Sequence, residues 1–171
     1  FEEAIDQHAI RMLATRQPMA VDLRVISMSL KLSNDLERIG DYAKGIAKRA
    51  RRLNASPQLK PFVTIPRMVE LVQGMLKEVL DAFITRDAEK AMAVWHGDEL
   101  VDDLYDSLVR ELVTFILEDP RTTSTAIDLL FIAKNIERIG DHTTNIAEKI
   151  HYMVHGVQIN RPRESAELDD Q

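Results

Sequence analysis

The pentapeptide Glu-Arg-Ile-Gly-Asp occurs twice in this chain, at Glu37–Asp41 and at Glu137–Asp141, an offset of 100 residues. Residues i and i+4 of an α-helix lie on one face, with their Cβ atoms about 6 Å apart. Each copy therefore places a glutamate and an aspartate side by side, an arrangement that destabilises an isolated helix unless a cation lies between them. Carboxylates bind and bridge divalent and trivalent metal ions, so the pattern predicts a metal site in each copy.

A third acidic pair, Asp98 and Asp102, has the same spacing on the segment that precedes the second pentapeptide. If the two segments pack as antiparallel helices, this pair faces Glu137 and Asp141. All-oxygen ligands suit Mg²⁺, Mn²⁺, Ca²⁺ or iron, so the ligand types leave the metal open. The predicted metal-ligating residues are Glu37, Asp41, Asp98, Asp102, Glu137 and Asp141.

Each pentapeptide also carries a glycine in the middle of a predicted helix, Gly40 in the first copy and Gly140 in the second. Glycine costs a helix interior up to about 1 kcal/mol relative to alanine. We therefore expect a close neighbouring helix or a bulky inorganic cluster beside each of these glycines.

Two other interpretations of the acids stay open. The acids could form a solvated face in a purely structural bundle, with Arg38 and Arg138 as ordinary ion-pair partners, although such surface pairs contribute at most about 1 kcal/mol. Glu148-x-x-His151 has the spacing found in ferritin-like di-iron bundles, which would make the protein a carboxylate-bridged metal enzyme. That motif lacks its second copy on another helix, and the sequence contains no nucleophile–base set or Walker-type motif. The prediction is a protein without enzymatic activity.

Composition narrows the class of protein. The 171 residues are 45% hydrophobic and 29% charged, as in folded water-soluble domains, and no apolar run reaches the roughly 18 residues of a membrane span. The absence of cysteine excludes disulfides, Fe–S clusters and thiolate zinc sites and is compatible with a cytoplasmic location. A net charge of −6 disfavours nucleic acid as the main partner.

Helical periodicity extends over nearly the whole chain and predicts an all-α fold. Pro18 interrupts it early, and Asp87 is a suitable N-cap. The predicted helices cover residues 1–16, 19–53, 67–83, 87–117 and 125–154.

The duplication divides the chain into two repeats. The first covers residues 1–56 and shows two helices, and a proline-rich linker covers 57–66. The second, at 67–157, has the content of a three-helix bundle, and 158–171 is expected to be a disordered tail. The fold is thus a tandem repeat of two three-helix bundles, of which the first is N-terminally incomplete. We expect its open side to be closed by residues before Phe1, by a partner or by dimerisation.

Three segments, Gln17–Arg24, Ser33–Lys44 and Ala133–His142, closely resemble the PhoU family. The resemblance covers nearly all of the chain. It implies two tandem three-helix bundles with no catalytic activity. It also implies metal ions on the E(D)xxxD motifs, which match the six acids named above. The metal would be multinuclear iron, or Mn, Mg or Zn.

The same resemblance implies a role in signalling. The protein would act as a negative regulator of the phosphate-starvation response. It would couple the phosphate ABC transporter, through the ATPase subunit, to the sensor histidine kinase PhoR. The family pattern further implies a cytoplasmic homodimer that reaches the membrane only through its partners.

Overall fold

The computed structural model describes residues 2–54 and 63–159. Over these ranges the chain folds into six α-helices with a short 3₁₀ turn, Pro120–Thr122, before the last of them. The predicted all-α fold is confirmed. The helices are α1 (Glu2–Arg16), α2 (Val21–Leu53), α3 (Thr64–Thr85), α4 (Ala88–His96), α5 (Asp98–Glu118) and α6 (Thr123–His155).

The second repeat is a bundle in which α3, the α4–α5 pair and α6 all contact one another. Four apolar residues of α3 face this core, Met68, Val72, Met75 and Val79, because residues three or four apart return to the same side of a helix. The core consists of buried apolar side chains, of which the largest fully buried ones are Met68, Val79, Val101, Leu108, Ile136, Ile146 and Ile150.

The prediction of one continuous helix over residues 87–117 is wrong. The chain is broken at Gly97, which ends α4 and precedes α5. A Cβ atom at Gly97 would lie 3.2 Å from the carbonyl oxygen of Val94, so the break is a tight turn that suits glycine. The predicted N-cap at Asp87 is confirmed, since its Oδ1 accepts a hydrogen bond of 2.9 Å from the backbone N–H of Lys90.

The first repeat contributes α1 and α2, which pack against each other around the interruption at Pro18. Helix α1 keeps large apolar side chains at its surface, with Ile10 64% exposed and Met12 48% exposed. The predicted linker at 57–66 lies largely outside the described residues. Its last residues belong to α3, where Pro66 occupies the first turn, a position that tolerates proline. Most of the predicted tail, from residue 160 onward, also lies outside the described residues.

Helices α2 and α6 join the two repeats and run antiparallel. Contacts between them pair Arg49 with Asp128 near one end and Asp35 with Lys149 toward the other. Near the middle, the rings of Tyr42 and His142 lie 5.6 Å apart. Tyr42 and His142 occupy equivalent positions in the duplicated sequence. Helices α2 and α6 are therefore related by an approximate twofold axis that passes between these two rings.

Asp35 is the principal polar contact of this interface. It is only 7% exposed, and its two oxygens lie 3.0 Å from His142 Nδ1 and 2.5 Å from Lys149 Nζ. The equivalent residue of the second repeat, Asn135, packs against Gly45 on α2, with its Nδ2 only 2.9 Å from the place where a Cβ atom would stand. The interface is therefore close at both symmetry-related positions but differs in charge.

Replacement of Gly45 by alanine tests this close approach, with Gly40→Ala on the same helix as the control. No neighbouring atom lies within 4 Å of a Cβ atom at Gly40, so Gly40→Ala should stabilise the protein by about 0.5–1 kcal/mol through helix propensity. Gly45→Ala should be at least about 1 kcal/mol less stable than Gly40→Ala, because the added methyl displaces Asn135. Urea unfolding measures both, and equal stabilities would contradict the packing described.

Replacement of Asp35 by alanine tests the ionic contact. The change leaves the Lys149 ammonium and the His142 ring without their carboxylate partner. We expect a loss of about 2 kcal/mol, less than for a fully buried pair because both side chains keep some solvent access. Asn34→Ala, which removes an exposed polar side chain from the neighbouring position, should change the free energy of unfolding by less than about 0.5 kcal/mol. A similar small effect for Asp35→Ala would show that the contact does not hold the helices together.

Candidate functional site

Four of the six predicted acids meet where α5 packs against α6. Asp98 Oδ1 lies 3.0 Å from the place where a Cβ atom of Gly140 would stand, and Val101 and Val72 follow at 3.8 Å. The close neighbour expected beside Gly140 is thus confirmed as helix α5, with its Asp98 carboxylate directly against the second pentapeptide. A larger residue at Gly140 would force that carboxylate to move.

The negative charges of Glu137 and Asp141 on α6 act on Asp102 on α5. Asp102 is exposed, but partial desolvation by neighbouring protein atoms still raises the pKa of its carboxyl above the usual value. The negative charges of Glu137 and Asp141 raise that pKa further. Lys134 acts in the opposite direction. The predicted juxtaposition of the two pairs is therefore present, and we call Asp98, Asp102, Glu137 and Asp141 the acidic cluster.

Glu137 is largely enclosed by neighbouring residues. Its side chain is 12% exposed, and Oε1 lies 2.5 Å from Lys134 Nζ. Its Oε2 atom is buried and accepts no hydrogen bond from the described residues. A buried carboxylate oxygen without a donor is costly, and a bound cation would remove that cost. Asp141 Oδ2 lies 3.5 Å from Arg138 Nη1, at the long limit of a hydrogen bond.

The donor chemistry of the acidic cluster fits a hard cation, whereas the side-chain positions do not yet form a ligand set. Within residues 2–54 and 63–159, no three Asp, Glu, His or Cys side chains are arranged to hold one metal ion. Binding would therefore require side-chain rotation. Asp102 is exposed and Asp141 is only half-buried, so both can turn without disturbing the core.

The first pentapeptide has a different environment. Glu37 and Asp41 are exposed on α2, and Glu37 makes only a 3.9 Å contact with its neighbour Arg38. The close neighbour expected beside Gly40 does not occur among the described residues, since no atom lies within 4 Å of its Cβ position. The structure therefore brings Asp98, Asp102, Glu137 and Asp141 together but gives Glu37 and Asp41 no third carboxylate in the part of the chain that it describes.

The alternative motif Glu148-x-x-His151 does not converge on one site. Glu148 Oε1 accepts a hydrogen bond of 3.0 Å from Trp95 Nε1 on α4, whereas His151 Nδ1 lies 3.3 Å from the carbonyl oxygen of Val157. Sequence reasoning missed the Trp95–Glu148 contact. It also missed a cleft between α2 and α6 that gathers basic residues more than 100 positions apart in sequence.

None of the helices within the described ranges combines the length and the hydropathy that a bilayer span requires.

Known proteins with similar sequence and structure point to one family. A family model described as the PhoU domain matches residues 1–50 and 65–150. A Caulobacter vibrioides protein named phosphate-specific transport system accessory protein PhoU homolog is 50% identical over 95% of this chain and 71% of its own length. The crystal structure of PhoU from Pseudomonas aeruginosa superimposes with a TM-score of 0.87 at 43% identity, covering 91% of this chain and 75% of that one. The corresponding regulatory protein from Streptococcus pneumoniae gives a TM-score of 0.82 at 29% identity, covering 94% and 78%.

Replacement of Asp102 by asparagine tests the electrostatics of the acidic cluster in the presence of a chelator. Because the folded protein raises the pKa of Asp102, folding disfavours its ionised form, and this penalty is present at neutral pH. The penalty fades as the pH falls through the raised pKa and is gone below the unfolded value, about 3.9. Asp102→Asn should therefore stabilise the protein at pH 7 and have a diminishing effect toward pH 3.5, as measured by urea unfolding. A gain that is constant over this range, or confined to low pH, would contradict the described cluster.

Proposed function

The chain belongs to the PhoU family, and from this membership we propose that it is a negative regulator of the phosphate-starvation response whose acidic cluster binds metal. Relatives at up to 50% identity are named accessory proteins of the phosphate-specific transport system, which supports a role beside that transporter. Those names describe accessory rather than catalytic proteins, which supports a protein without enzymatic activity.

The observation that carries the metal proposal is the buried Glu137 Oε2 atom, which accepts no hydrogen bond from the described residues. The negative charges of Glu137 and Asp141 both act on Asp102, so these three acids lie within electrostatic range of one another. Glu137 and Asp141 would hold the ion from α6, and Asp98 and Asp102 would hold it from α5. The four carboxylates outnumber the nearby cations Lys134 and Arg138, and a bound metal ion would balance the remaining negative charge. Iron, Mn²⁺ and Mg²⁺ suit such oxygen ligands, and Zn²⁺ also accepts carboxylates.

The regulatory proposal requires contacts with the transporter and with the kinase. We propose that the protein binds the ATPase subunit of the phosphate ABC transporter and the sensor histidine kinase PhoR at the cytoplasmic face of the membrane, and that it forms a homodimer. Exposed apolar side chains on α1, such as Ile10, support contact with another polypeptide. A coupling protein must bind its partners differently in two states, and metal occupancy between α5 and α6 would provide two such states.

Metal analysis separates this proposal from a purely structural bundle. The wild type, purified without chelator and dialysed against iron, manganese or magnesium, should retain metal, whereas Glu137→Ala/Asp141→Ala should lose most of it and keep its helical circular dichroism. The matched control is Glu37→Ala/Asp41→Ala, which removes the same two residue types from the exposed first pentapeptide and should retain at least half of the metal. Equal metal content in all three proteins, or none in the wild type, would refute the assignment to the acidic cluster.

The regulatory part is tested by direct binding. Purified wild-type protein should bind the ATPase subunit and the soluble part of the kinase. In cells, deletion of the gene for this protein should raise expression from phosphate-starvation promoters when phosphate is plentiful. Unchanged promoter activity in cells that lack the protein would rule out negative regulation. Turnover of oxygen or peroxide by the iron-loaded protein would instead favour a carboxylate-bridged metal enzyme.

A further inference from the structure

The approximate twofold symmetry of the α2–α6 interface allows its two ends to be compared position by position. At one end, Arg49 Nη1 and Arg52 Nη2 both donate to Asp128 Oδ1, at 2.9 and 2.5 Å. The ring of Phe131 lies beneath the Arg49 guanidinium, with its centroid 4.1 Å from Cζ. At this end the basic side chains are thus bound by a carboxylate and an aromatic ring of the opposite helix.

The other end of the interface lacks both the carboxylate and the aromatic ring. The positions equivalent to Asp128 and Phe131 in the duplicated sequence are occupied by Met28 and Lys31. The equivalent of Arg49, Lys149, turns instead toward Asp35. Here the interface opens into a cavity of about 490 Å³, which we call the basic cleft. The polar residues that line it are Arg24, Ser27 and Lys31 on α2, Asn145, Glu148, Lys149 and Tyr152 on α6, and Gln158 after α6.

The basic cleft carries an excess of positive charge in a chain whose net charge is −6. Neither Arg24 nor Lys31 forms an ion pair with any residue in the described ranges, and Arg24 Nε is buried there without a hydrogen-bond acceptor. Glu148 also lines the cleft, and its Oε1 accepts the hydrogen bond from Trp95. A buried guanidinium N–H without an acceptor has the same cost as other unsatisfied buried groups, and an anion in the cleft would remove it.

A purely structural role accounts for only part of this arrangement. Arg24 Nη1 lies 2.8 Å from the place where a Cβ atom of Gly156 would stand, at the end of α6, where a cation complements the helix dipole. That role needs one guanidinium at the helix end. It explains neither the second unpaired cation at Lys31 nor the open volume beside it.

We propose that the basic cleft binds a small multivalent oxyanion of the phosphate class, either inorganic phosphate or a phosphate monoester. Arg24 and Lys31 would supply positive charge, since the charge of Lys149 is already balanced by Asp35. Guanidinium and ammonium groups are the usual protein partners of phosphate oxygens. Ser27, Asn145 and Tyr152 would add neutral donors. Because the cleft is formed by both repeats, the bound anion contacts α2 and α6 together. The basic cleft is separate from the acidic cluster and from the partner contacts proposed above.

The test is a calorimetric titration of the full chain, treated with chelator so that no metal in the acidic cluster can recruit the anion. Potassium phosphate and glycerol 3-phosphate are titrated separately at constant ionic strength, with chloride as the comparison salt. We expect saturable binding of at least one of the two. Lys31→Gln and Arg24→Gln should each weaken that binding tenfold or more.

The control is Lys48→Gln, which makes the same change of charge at an exposed position of α2 outside the cleft and should leave the affinity within twofold of the wild type. Lys31 is exposed, so Lys31→Gln keeps the test valid even if Arg24→Gln fails to fold. No saturable binding of either compound, or an equal loss in Lys31→Gln and Lys48→Gln, would overturn the proposal. Co-sedimentation with phosphatidic acid vesicles in the absence of binding to soluble glycerol 3-phosphate would assign the cleft to a lipid surface and also contradict it. Under this proposal Lys31→Gln keeps the metal content of the wild type. Failure of the anion proposal is therefore distinguishable from failure of the metal proposal.

Discussion

The burial of the Asp35 carboxylate between α2 and α6 is the constraint on which the arrangement of the repeats depends. A charged group out of water is tolerated only when an oppositely charged group and hydrogen-bonding groups meet it in good geometry. Here Lys149 supplies the opposite charge and the His142 ring lies within hydrogen-bonding distance, both from the opposite helix. This requirement fixes how α2 lies along α6. Helix α6 in turn contacts α3, α4 and α5, so its placement determines where the acids of α5 meet those of α6.

The two copies of the duplicated sequence have kept their local chemistry and diverged in their surroundings. Gly140 lies against the Asp98 carboxylate, whereas Gly40 has open space beside it within the described part of the chain. Asp35 is matched by a neutral residue, Asn135, and Asp128 by Met28. Both copies of the short motif therefore place two acids on one helix face. The neighbouring helix determines whether that pair is enclosed, as at Glu137 and Asp141, or exposed, as at Glu37 and Asp41.

Much of this could be predicted from the sequence because it depends on spacing along single helices. The pairing of Glu137 with Asp141 follows from helical geometry, and the N-cap at Asp87 follows from the preference for aspartate at that position. The break at Gly97 could not be predicted, since one glycine inside a periodic segment costs only about 1 kcal/mol and leaves the pattern intact. The basic cleft joins Lys31 to Lys149, and that proximity exists only once the antiparallel packing of α2 on α6 is known. A signal was nevertheless available in the replacement of Asp128 and Phe131 by Met28 and Lys31 at the matching positions of the first repeat.

The single tryptophan of the chain gives this architecture a built-in optical reporter. The indole of Trp95 donates its N–H to a carboxylate that lines the basic cleft, and its ring meets His96 edge to face with centroids 5.0 Å apart. Indole emission responds to the polarity and charge of its immediate surroundings. Intrinsic fluorescence, excited without competition from a second indole, would thus follow events at the junction of the two repeats in the unmodified protein, with no label to perturb the helices.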